Sequence, residues 1–372
     1  MKLSSFPYLI QKLILDHLSI NQLFFLSLCS KNTKNFIKEA QKHQLKKVER
    51  VTYHINGLIK IDVKMTNEIY DSSIMYFYKS KKHRQQSNDL VQEVRVNELA
   101  TPIDFLRCLT GDPDSHAKYC PDTIMESIME SIHNHLYDLL GNDTKFWIDS
   151  FENSSTGGTP FLPLLQNIQK IDIFGRVLKS TKVDEFLDRS TCLEQFSWTT
   201  LIDYPIKLRE NSKLYDLDSV YVSSMAFSCP MANEVLKRFN GRHAFLQSGD
   251  INTSDIIQFL NEWKLGEKFT NLELISVDCF FNLQEIWNSV EVKVVDREVK
   301  YSFIRKFEEE NISFPNLDSG DFKSHCYMVR ESDGCVASVL LTRDLIMMGV
   351  WNMTEKEFLI KFNQPIDAIP FL

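Results

Sequence analysis

The chain has 372 residues, of which 43% are hydrophobic and 25% charged, so it is long enough for two or three domains with a sizeable core. These fractions exclude a mainly disordered, a collagen-like and a membrane-embedded chain. The formal net charge of −8 argues against a protein whose whole surface binds nucleic acid. Residues 1–50 carry a net charge of +6 and the remaining residues −14, which suggests two parts with different partners.

The eight cysteines form no CxxC motif, and the closest two are nine residues apart. The first residues, MKLSSFPYLIQKLILDHL, lack the continuous apolar segment of a signal peptide. No stretch approaches the roughly 18 apolar residues that a membrane span needs. We therefore expect reduced thiols, a cytoplasmic or nuclear location and no membrane partner.

The first forty residues predict three closely spaced helices. Pro7 can begin the first, whose apolar side chains recur every three or four residues. The second, from Gln22 to about Cys29, is apolar nearly all round, with Ser19 and Asn21 as candidate caps. Ser30 can cap a third helix that carries Phe36 and Ile37.

So short a segment cannot bury so wide an apolar surface by itself. Two alternatives follow from the residues alone. Either the rest of the chain covers these side chains, or they dock on another subunit, since fully burying one large apolar side chain is worth roughly 1.5–3 kcal/mol.

The segment FPYLIQKLILDHLSINQLFFLSLCSKNTK resembles an F-box, the helical motif that docks on the Skp-type adaptor of cullin–RING ubiquitin ligases. Two positions depart from the common pattern: Leu9 stands where many F-boxes carry Glu, and Thr33 where many carry Trp. The motif positions that match are Phe6, Pro7, Ile14, Leu18, Leu23, Leu26, Ser27, Leu28 and Lys31. The resemblance implies an adaptor, and through it a cullin, as partners, with adaptor contacts at Phe6, Pro7, Ile10, Ile14, Leu18, Leu23 and Leu26.

The connecting region, residues 46–152, predicts strands and then helices. VTYHINGLIKIDV alternates around Asn56-Gly57, which predicts a β-hairpin, and IYDSSIMYFY and LVQEVRV are two further strand-like runs. IDFLRCL and TIMESIMESIHNHLYDLL are expected to be helical. KSKKHR (79–84) and GDPDSHAKYCPD (111–122) are expected to be loops, and NSSTGGTP (153–160) a hinge.

A regular alternation follows. Strand-like runs begin near residues 169, 193, 218, 242 and 272, at intervals of 24, 25, 24 and 30 residues. Amphipathic segments lie between them: TKVDEFLDRS, PMANEVLKRF and TSDIIQFLNEWKL. This spacing favours an irregular leucine-rich-repeat-like array over an open α/β sheet, which would show the same alternation.

Three strands are expected at the end of the array. CYMVRESDGCVASVLLTRDLIMMGVW contains Asp333-Gly334 between alternating runs, which predicts a type I′ hairpin turn. An antiparallel meander here would close the open edge of the array. The expected fold is therefore α/β (α+β overall), with a helical module at 1–45 and a tail at 353–372.

Residues 160–352 resemble the F-box-associated domain of type 2. The resemblance rests on Phe259, Leu260, Trp263, Leu272, Glu273, Arg330, Asp333, Gly334, Ala337, Ser338, Val350 and Trp351. Together the two resemblances imply the substrate-recognition subunit of a Skp–cullin–F-box ubiquitin ligase, whose C-terminal array binds a target protein. The alternative is a repeat-type protein-binding scaffold that recruits no ligase.

No catalytic or cofactor-binding pattern stands out. His133 and His135 lie two apart on a predicted helix, so they should face different sides and cannot chelate one ion. The motifs GxSxG, HExxH and GxxxxGK[ST] do not occur. We expect no enzyme activity, no cofactor and no nucleic-acid partner, with a hydrolase in residues 160–352 as a remote third hypothesis.

Overall fold

The computed structural model divides the chain into two compact units, residues 1–193 and 194–372, which are described separately. The structure describes residues 5–56, 58–66, 68, 70–78, 91–94, 103–107, 116–119, 125–151, 162–175, 180–200, 208–224, 229–302 and 321–362. The predicted associated domain (160–352) extends across the boundary between the two units, and its limits stay a prediction.

The first unit begins with the predicted helices. They are α1 (Tyr8–Asp16), α2 (Ile20–Leu28) and α3 (Lys31–Ala40), and a short helix that was not predicted, α4 (Lys42–Leu45), follows them. Ser19 and Ser30 cap α2 and α3, as the sequence predicts. Helix α2 begins two residues earlier than expected because Ser19 and Gln22 form a capping box.

A mixed sheet and two further helices complete this unit. The elements are β1 (Val48–Ile55), β2 (Leu58–Met65), β3 (Ser72–Tyr78), β4 (Val91–Val94), β5 (Ile103–Arg107), β6 (His116–Tyr119), α5 (Met125–Leu140), β7 (Lys145–Phe151), β8 (Lys170–Gly175) and α6 (Ser180–Arg189). The strand order among the described residues is β8-β7-β1-β2-β3-β6-β5-β4. Strands β8, β7 and β1 are parallel, whereas β1, β2 and β3 are antiparallel neighbours.

Two predictions in this region are wrong. IDFLRCL, expected to be helical, contains β5, and the expected loop at 111–122 contains β6. Strand β5 pairs antiparallel with β4 and β6, the strands before and after it in the chain, so pairing with neighbouring strands overrides the helix-like local pattern. Strand β7 was also missed, while the β1–β2 hairpin and α5 are confirmed. The segments 79–84 and 153–160 lie outside the described residues.

The second unit contains eight of the described strands and several helices. Its elements are β9 (Gln195–Thr200), β10 (Ser219–Ser224), α7 (Pro230–Arg238), β11 (His243–Gln247), α8 (Thr253–Leu265), β12 (Leu274–Asp278), α9 (Leu283–Ser289), β13 (Lys293–Tyr301), β14 (Phe322–Val329), β15 (Cys335–Leu341), β16 (Leu345–Thr354) and α10 (Glu355–Phe362). The order of its described strands is β13-β14-β15-β16-β12-β11-β10-β9. Strands β9 to β12 are parallel in sequence order, and β16 lies antiparallel beside β12.

The predicted strands of the periodic region are confirmed as β8 to β12, and the three amphipathic segments as α6, α7 and α8. Helix α8 is held at both ends. Asn252 and Asp255 form a capping box at its start, and Gly266 closes it in the left-handed conformation, with a φ of 76°. A short 3-10 helix, Lys213–Asp216, lies between β9 and β10.

The predicted type I′ turn at Asp333-Gly334 is wrong. That turn needs positive φ at two consecutive residues, and within the loop 331–334 only Gly334 has it, with a φ of 73°. The Asp333 carboxylate explains the longer loop, because it accepts hydrogen bonds from the Arg330 guanidinium and from the Cys335 amide. The hairpin thus joins β14 to β15 through five residues, 330–334.

The expected tail contributes structure as well. Helix α10 lies within residues 353–372, and its Phe358 side chain is fully buried in a cluster with Val295, Val299, Tyr327 and Val336. Residues 355–362 are therefore part of the core of the second unit.

Candidate docking surface

Helix α1 presents its apolar side chains to solvent. Pro7 stands at its N-terminus, where its carbonyl accepts hydrogen bonds from the amides of Ile10 and Gln11. Leu9 is 75% exposed, Leu13 54% and Ile10 43%. We call Leu9, Ile10, Leu13 and the half-buried Ile14 the α1 stripe.

The opposite side of α1 is covered by the chain itself. Leu15 is fully buried, and the Tyr8 ring, although 53% exposed, packs edge-on against Phe36 of α3 with centroids 5.9 Å apart. The Gln41 amide donates to Asp16 at the end of the helix, with the two atoms 2.6 Å apart. Helix α1 is therefore anchored on one side and open on the other.

Helix α2 packs its apolar residues inward. Leu23, Phe24 and Leu28 are buried, and the Phe24 ring lies edge-on to His135 of α5. Ser27 Oγ lies 2.7 Å from His135 Nε2, and Asn21 donates to the carbonyl of Ser73 on β3 over 2.8 Å. These contacts join the N-terminal helices to α5 and to the sheet of the first unit.

A charged contact reinforces this attachment through α3. Lys34 and Lys38 both reach the Asp138 carboxylate on α5, at 2.5 and 2.8 Å. Their hydrogen bonds lower the pKa of Asp138 to about 2, so it stays charged at neutral pH. The Lys38–Asp138 pair is largely exposed and contributes little free energy, but it orients α3 on α5.

The N-terminal helices were compared with known protein families. Residues 3–45 match the F-box domain. We refer to these residues as the F-box. Neither a curated protein nor a solved structure matches the chain. F-box domains bind Skp-type adaptors and hence cullins, and F-box proteins are generally non-catalytic substrate receptors.

The predicted adaptor contacts of the F-box fall into three groups. Pro7 and Ile10 are exposed; Phe6, Ile14, Leu18 and Leu26 are half-buried; Leu23 is fully buried beneath α2. Leu9 and Leu13 are more exposed than Ile10 and the half-buried members, and sequence reasoning left them out of the contact set. Their spacing of four residues on a helix was the available signal.

The two alternatives posed by the sequence hold for different faces of the F-box. The chain covers the inner face of α2, while the α1 stripe stays open. The surface is therefore preformed: its helices are already packed on α5 when the stripe faces solvent.

The two histidines of α5 lie on opposite faces, as predicted. His135 contacts Ser27 of the F-box, and His133 Nδ1 lies 2.9 Å from the Tyr53 hydroxyl of β1. Burial lowers the pKa of each to about 4, and the charge of Lys34 adds to the effect at His135, so both rings are neutral at pH 7. Within the described part of the chain, no group of three His, Cys, Asp or Glu side chains is arranged to hold a metal ion.

A third histidine, His54, bridges two buried carboxylates on neighbouring strands. Its Nδ1 lies 3.0 Å from Asp149 of β7 and its Nε2 lies 3.2 Å from Asp62 of β2. Burial alone would lower the pKa of His54, but the hydrogen bonds and charges of the two aspartates outweigh burial and raise it to about 9. Only the charged ring can donate to both carboxylates, so His54 acts as a cationic clamp across β2, β1 and β7.

The second unit contains a Ser–His–Glu row. Ser219 Oγ lies 2.9 Å from His243 Nδ1, and His243 Nε2 lies 3.1 Å from Glu273. A nucleophilic serine must reach a substrate carbonyl, and Ser219 is fully buried. This row therefore offers no accessible nucleophile, and it gives the hydrolase hypothesis no support.

The residues behind the second resemblance make structural contacts. The Arg330 guanidinium is buried, donates to both Asp333 oxygens over 3.0 and 2.7 Å, and lies 5.4 Å from the centre of the Trp263 ring. Trp351 donates through its ring nitrogen to Ser338 over 2.8 Å. These side chains fix the β14–β15 hairpin against α8 and join β15 to β16.

Among the described residues, no helix combines the length and the apolar composition that crossing a membrane requires.

Proposed function

We propose that this chain is the non-catalytic substrate receptor of a Skp–cullin–F-box ubiquitin ligase. One observation carries the proposal: a preformed F-box leaves the apolar α1 stripe in water. Apolar side chains on a helix face this open are typical of a docking surface.

The energetics support docking at this surface. Fully burying one large apolar side chain is worth roughly 1.5–3 kcal/mol, so several of them offset the cost of association. Because α2 and α3 are already packed on α5, the adaptor does not have to order the helices on binding. We place the adaptor on the exposed and half-buried members of the predicted set: Phe6, Pro7, Ile10, Ile14, Leu18 and Leu26.

We assign recognition of the target protein to the part of the chain that follows the F-box. We propose that the strand–helix units of residues 160–352 form an irregular, leucine-rich-repeat-like domain of the F-box-associated type 2 kind, closed by the β14–β16 meander. The mechanism is proximity: a tethered target meets the ubiquitin-charged enzyme at a high effective concentration, and no group of this chain attacks it. The six described cysteines are free thiols, which supports a location in the cytoplasm or nucleus.

Co-purification with a Skp-type adaptor tests the proposal. Ile10→Asp places a charge on the stripe without disturbing the buried side of α1, so we expect the adaptor to be lost while the folded chain remains. Tyr70→Asp is the matched control, because Tyr70 is 82% exposed outside the F-box. Retention of the adaptor by the Ile10→Asp variant would contradict the proposal.

A second function, a protein-binding scaffold that recruits no ligase, is favoured by the packing of α2 on α5. The same experiment separates the two. A scaffold would show no adaptor binding by the parent chain at micromolar concentrations, whereas a receptor would bind in a manner that depends on Ile10.

A further inference from the structure

A groove of about 700 Å³ lies between the α3–α4 segment and the C-terminal end of α5. Leu45, Val48 and Leu139 are buried beneath it, and Leu140 is half-buried at its edge. The described residues that line the groove include none from α1 or α2, and α1 packs on α3 through its covered side. The groove is therefore a surface separate from the α1 stripe.

A row of lysines forms one wall of the groove. Lys38, Lys42 and Lys46 line it from the α3–α4 side. The amides of residues 41, 45 and 46 each bond to the carbonyl four residues earlier, so the helical path continues across the α3–α4 junction and the lysines recur about every 6 Å. Lys38 bonds to Asp138, whereas Lys42 and Lys46 have no ion-pair partner among the residues that the structure describes.

Carboxylates line the part of the groove that β1 and the α5–β7 loop form. Glu49 and Asp143 are exposed there, and neither has an ion-pair partner within the described part of the chain. Glu39 also lines the groove, on the lysine side, where it stands against two unpaired lysines. The unpaired charges are therefore mainly positive on α3–α4 and negative on β1 and the loop.

We propose that this groove receives an amphipathic helix of the target protein, with acidic side chains on one flank and basic side chains on the other. The inference rests on the proposed function and adds a target contact in the first unit to the one assigned to residues 160–352. A helix beside α3–α4 presents glutamates four residues apart, about 6 Å, to Lys42 and Lys46. Its basic flank meets Glu49 and Asp143, and its apolar stripe covers the floor.

The same charges disfavour a nucleic acid as the occupant. A nucleic acid carries phosphates along its whole length, and in this groove some of them would lie against Glu49 and Asp143. A helix with two differently charged flanks places an opposite charge on each side of the groove. Charge complementarity therefore favours a protein segment.

Binding of synthetic helical peptides to the full chain tests the proposal. The mixed peptide carries glutamates on one flank of a leucine stripe and lysines on the other. Two comparison peptides carry glutamates on both flanks or lysines on both flanks. Fluorescence anisotropy should give the mixed peptide a Kd at least fivefold below that of either comparison peptide, because only the mixed peptide complements both sides.

Charge reversal in the groove gives the sharper test. In the variant Lys42→Glu/Lys46→Glu the mixed peptide should bind at least tenfold more weakly, and the peptide with lysines on both flanks should become the tightest ligand. This gain of binding also shows that the variant is folded. The matched control is Lys47→Glu/Lys145→Glu, which changes the net charge equally at two exposed residues outside the groove and should stay within twofold of the parent.

Three results would overturn the inference. The first is an absence of peptide binding by the parent at micromolar concentrations, or an order of affinities that the charge reversal leaves unchanged. The second is displacement of the mixed peptide by a saturating Skp-type adaptor, which would assign the groove to the adaptor contact. The third is tighter binding of a single-stranded RNA oligonucleotide than of the mixed peptide. The proposed function fails separately, if the Ile10→Asp variant retains the adaptor.

Discussion

At the scale of single residues, three histidines show how surroundings decide charge. Burial keeps His133 and His135 uncharged, with the charge of Lys34 adding to the effect at His135, whereas His54 lies between two carboxylates and stays charged. The spacing of His133 and His135 predicted that they would face apart. Nothing in the sequence near His54 indicated its partners, because Asp149 reaches it through a parallel pairing of strands that are far apart in the chain.

The buried histidines predict sensitivity to acid. The folded pKa of His133, about 4, lies below the usual value near 6.5, so between these values the unfolded chain binds a proton that the folded chain does not. The contribution of His133 to the free energy of unfolding should therefore be largest above pH 6.5 and decrease as the pH is lowered. At pH 5 it should be smaller by about 2 kcal/mol. His135 acts in the same direction.

Urea denaturation at pH 7 and pH 5 measures this effect. The His135→Gln variant keeps a polar partner for Ser27 and has no proton to bind, so its stability should fall less between the two pH values than that of the parent. Equal losses in parent and variant would contradict the assignment of His135 as a buried neutral ring. His54 has the opposite sign: its contribution is present below pH 6.5 and lost as pH rises through about 9.

At the scale of elements, local signals succeeded where the determining contacts were local. Caps and apolar periodicity located α2, α3, α7 and α8, and alternation located the β1–β2 hairpin. Strands β6 and β7 were missed because each pairs with a strand that lies far away in the chain, β3 and β1 respectively, and no local window contains both partners. Strand β5 pairs with its neighbours β4 and β6, and its own residues gave a helix-like pattern that this pairing overrides. The outward face of α1 was only partly predicted, since exposure depends on which side α3 covers.

A close approach between β16 and β13 gives a second prediction. Tyr301 lies over Gly349, where an added Cβ would stand 2.6 Å from three ring carbons, and the Tyr301 hydroxyl donates to the Glu273 carbonyl over 2.9 Å. Gly349→Ala should therefore destabilise the second unit by about 1–3 kcal/mol, the usual cost of overpacking.

A double-mutant cycle isolates this contact. In the Tyr301→Leu background, Gly349→Ala should cost much less in chemical denaturation, because the ring is gone. The same loss in both backgrounds would show that the alanine acts through the backbone of β16 and not through Tyr301.

At the scale of the first unit as a whole, the F-box and α5 form one packed body. The contacts Asn21–Ser73, Ser27–His135 and Lys34–Asp138 connect residues that are 52 to 108 positions apart. A resemblance to a short motif identified the F-box but could not show this attachment, because the motif ends at residue 45 and the partners come later in the chain.

Hydrogen exchange of the full chain provides the corresponding prediction. The backbone amides of α2 should exchange at rates similar to those of α5, because the two helices share a buried interface. Ser27→Ala should speed exchange in both helices together, whereas Cys29→Ala, at an exposed position, should leave both unchanged. Exchange in α2 that is a hundredfold faster than in α5 would show that the F-box opens independently.

The packing of α2 on α5 also limits how this protein can be dissected. A fragment cut after residue 45 would lose the His135 ring that packs on Phe24 and bonds to Ser27, and the Ser73 carbonyl that Asn21 reaches. Such a truncation would expose apolar surface on α2 in addition to the α1 stripe. Measurements of adaptor binding therefore require a polypeptide that extends at least through α5. In deletion experiments that start from the F-box alone, a loss of binding would reflect misfolding of the fragment and not the affinity of the docking surface.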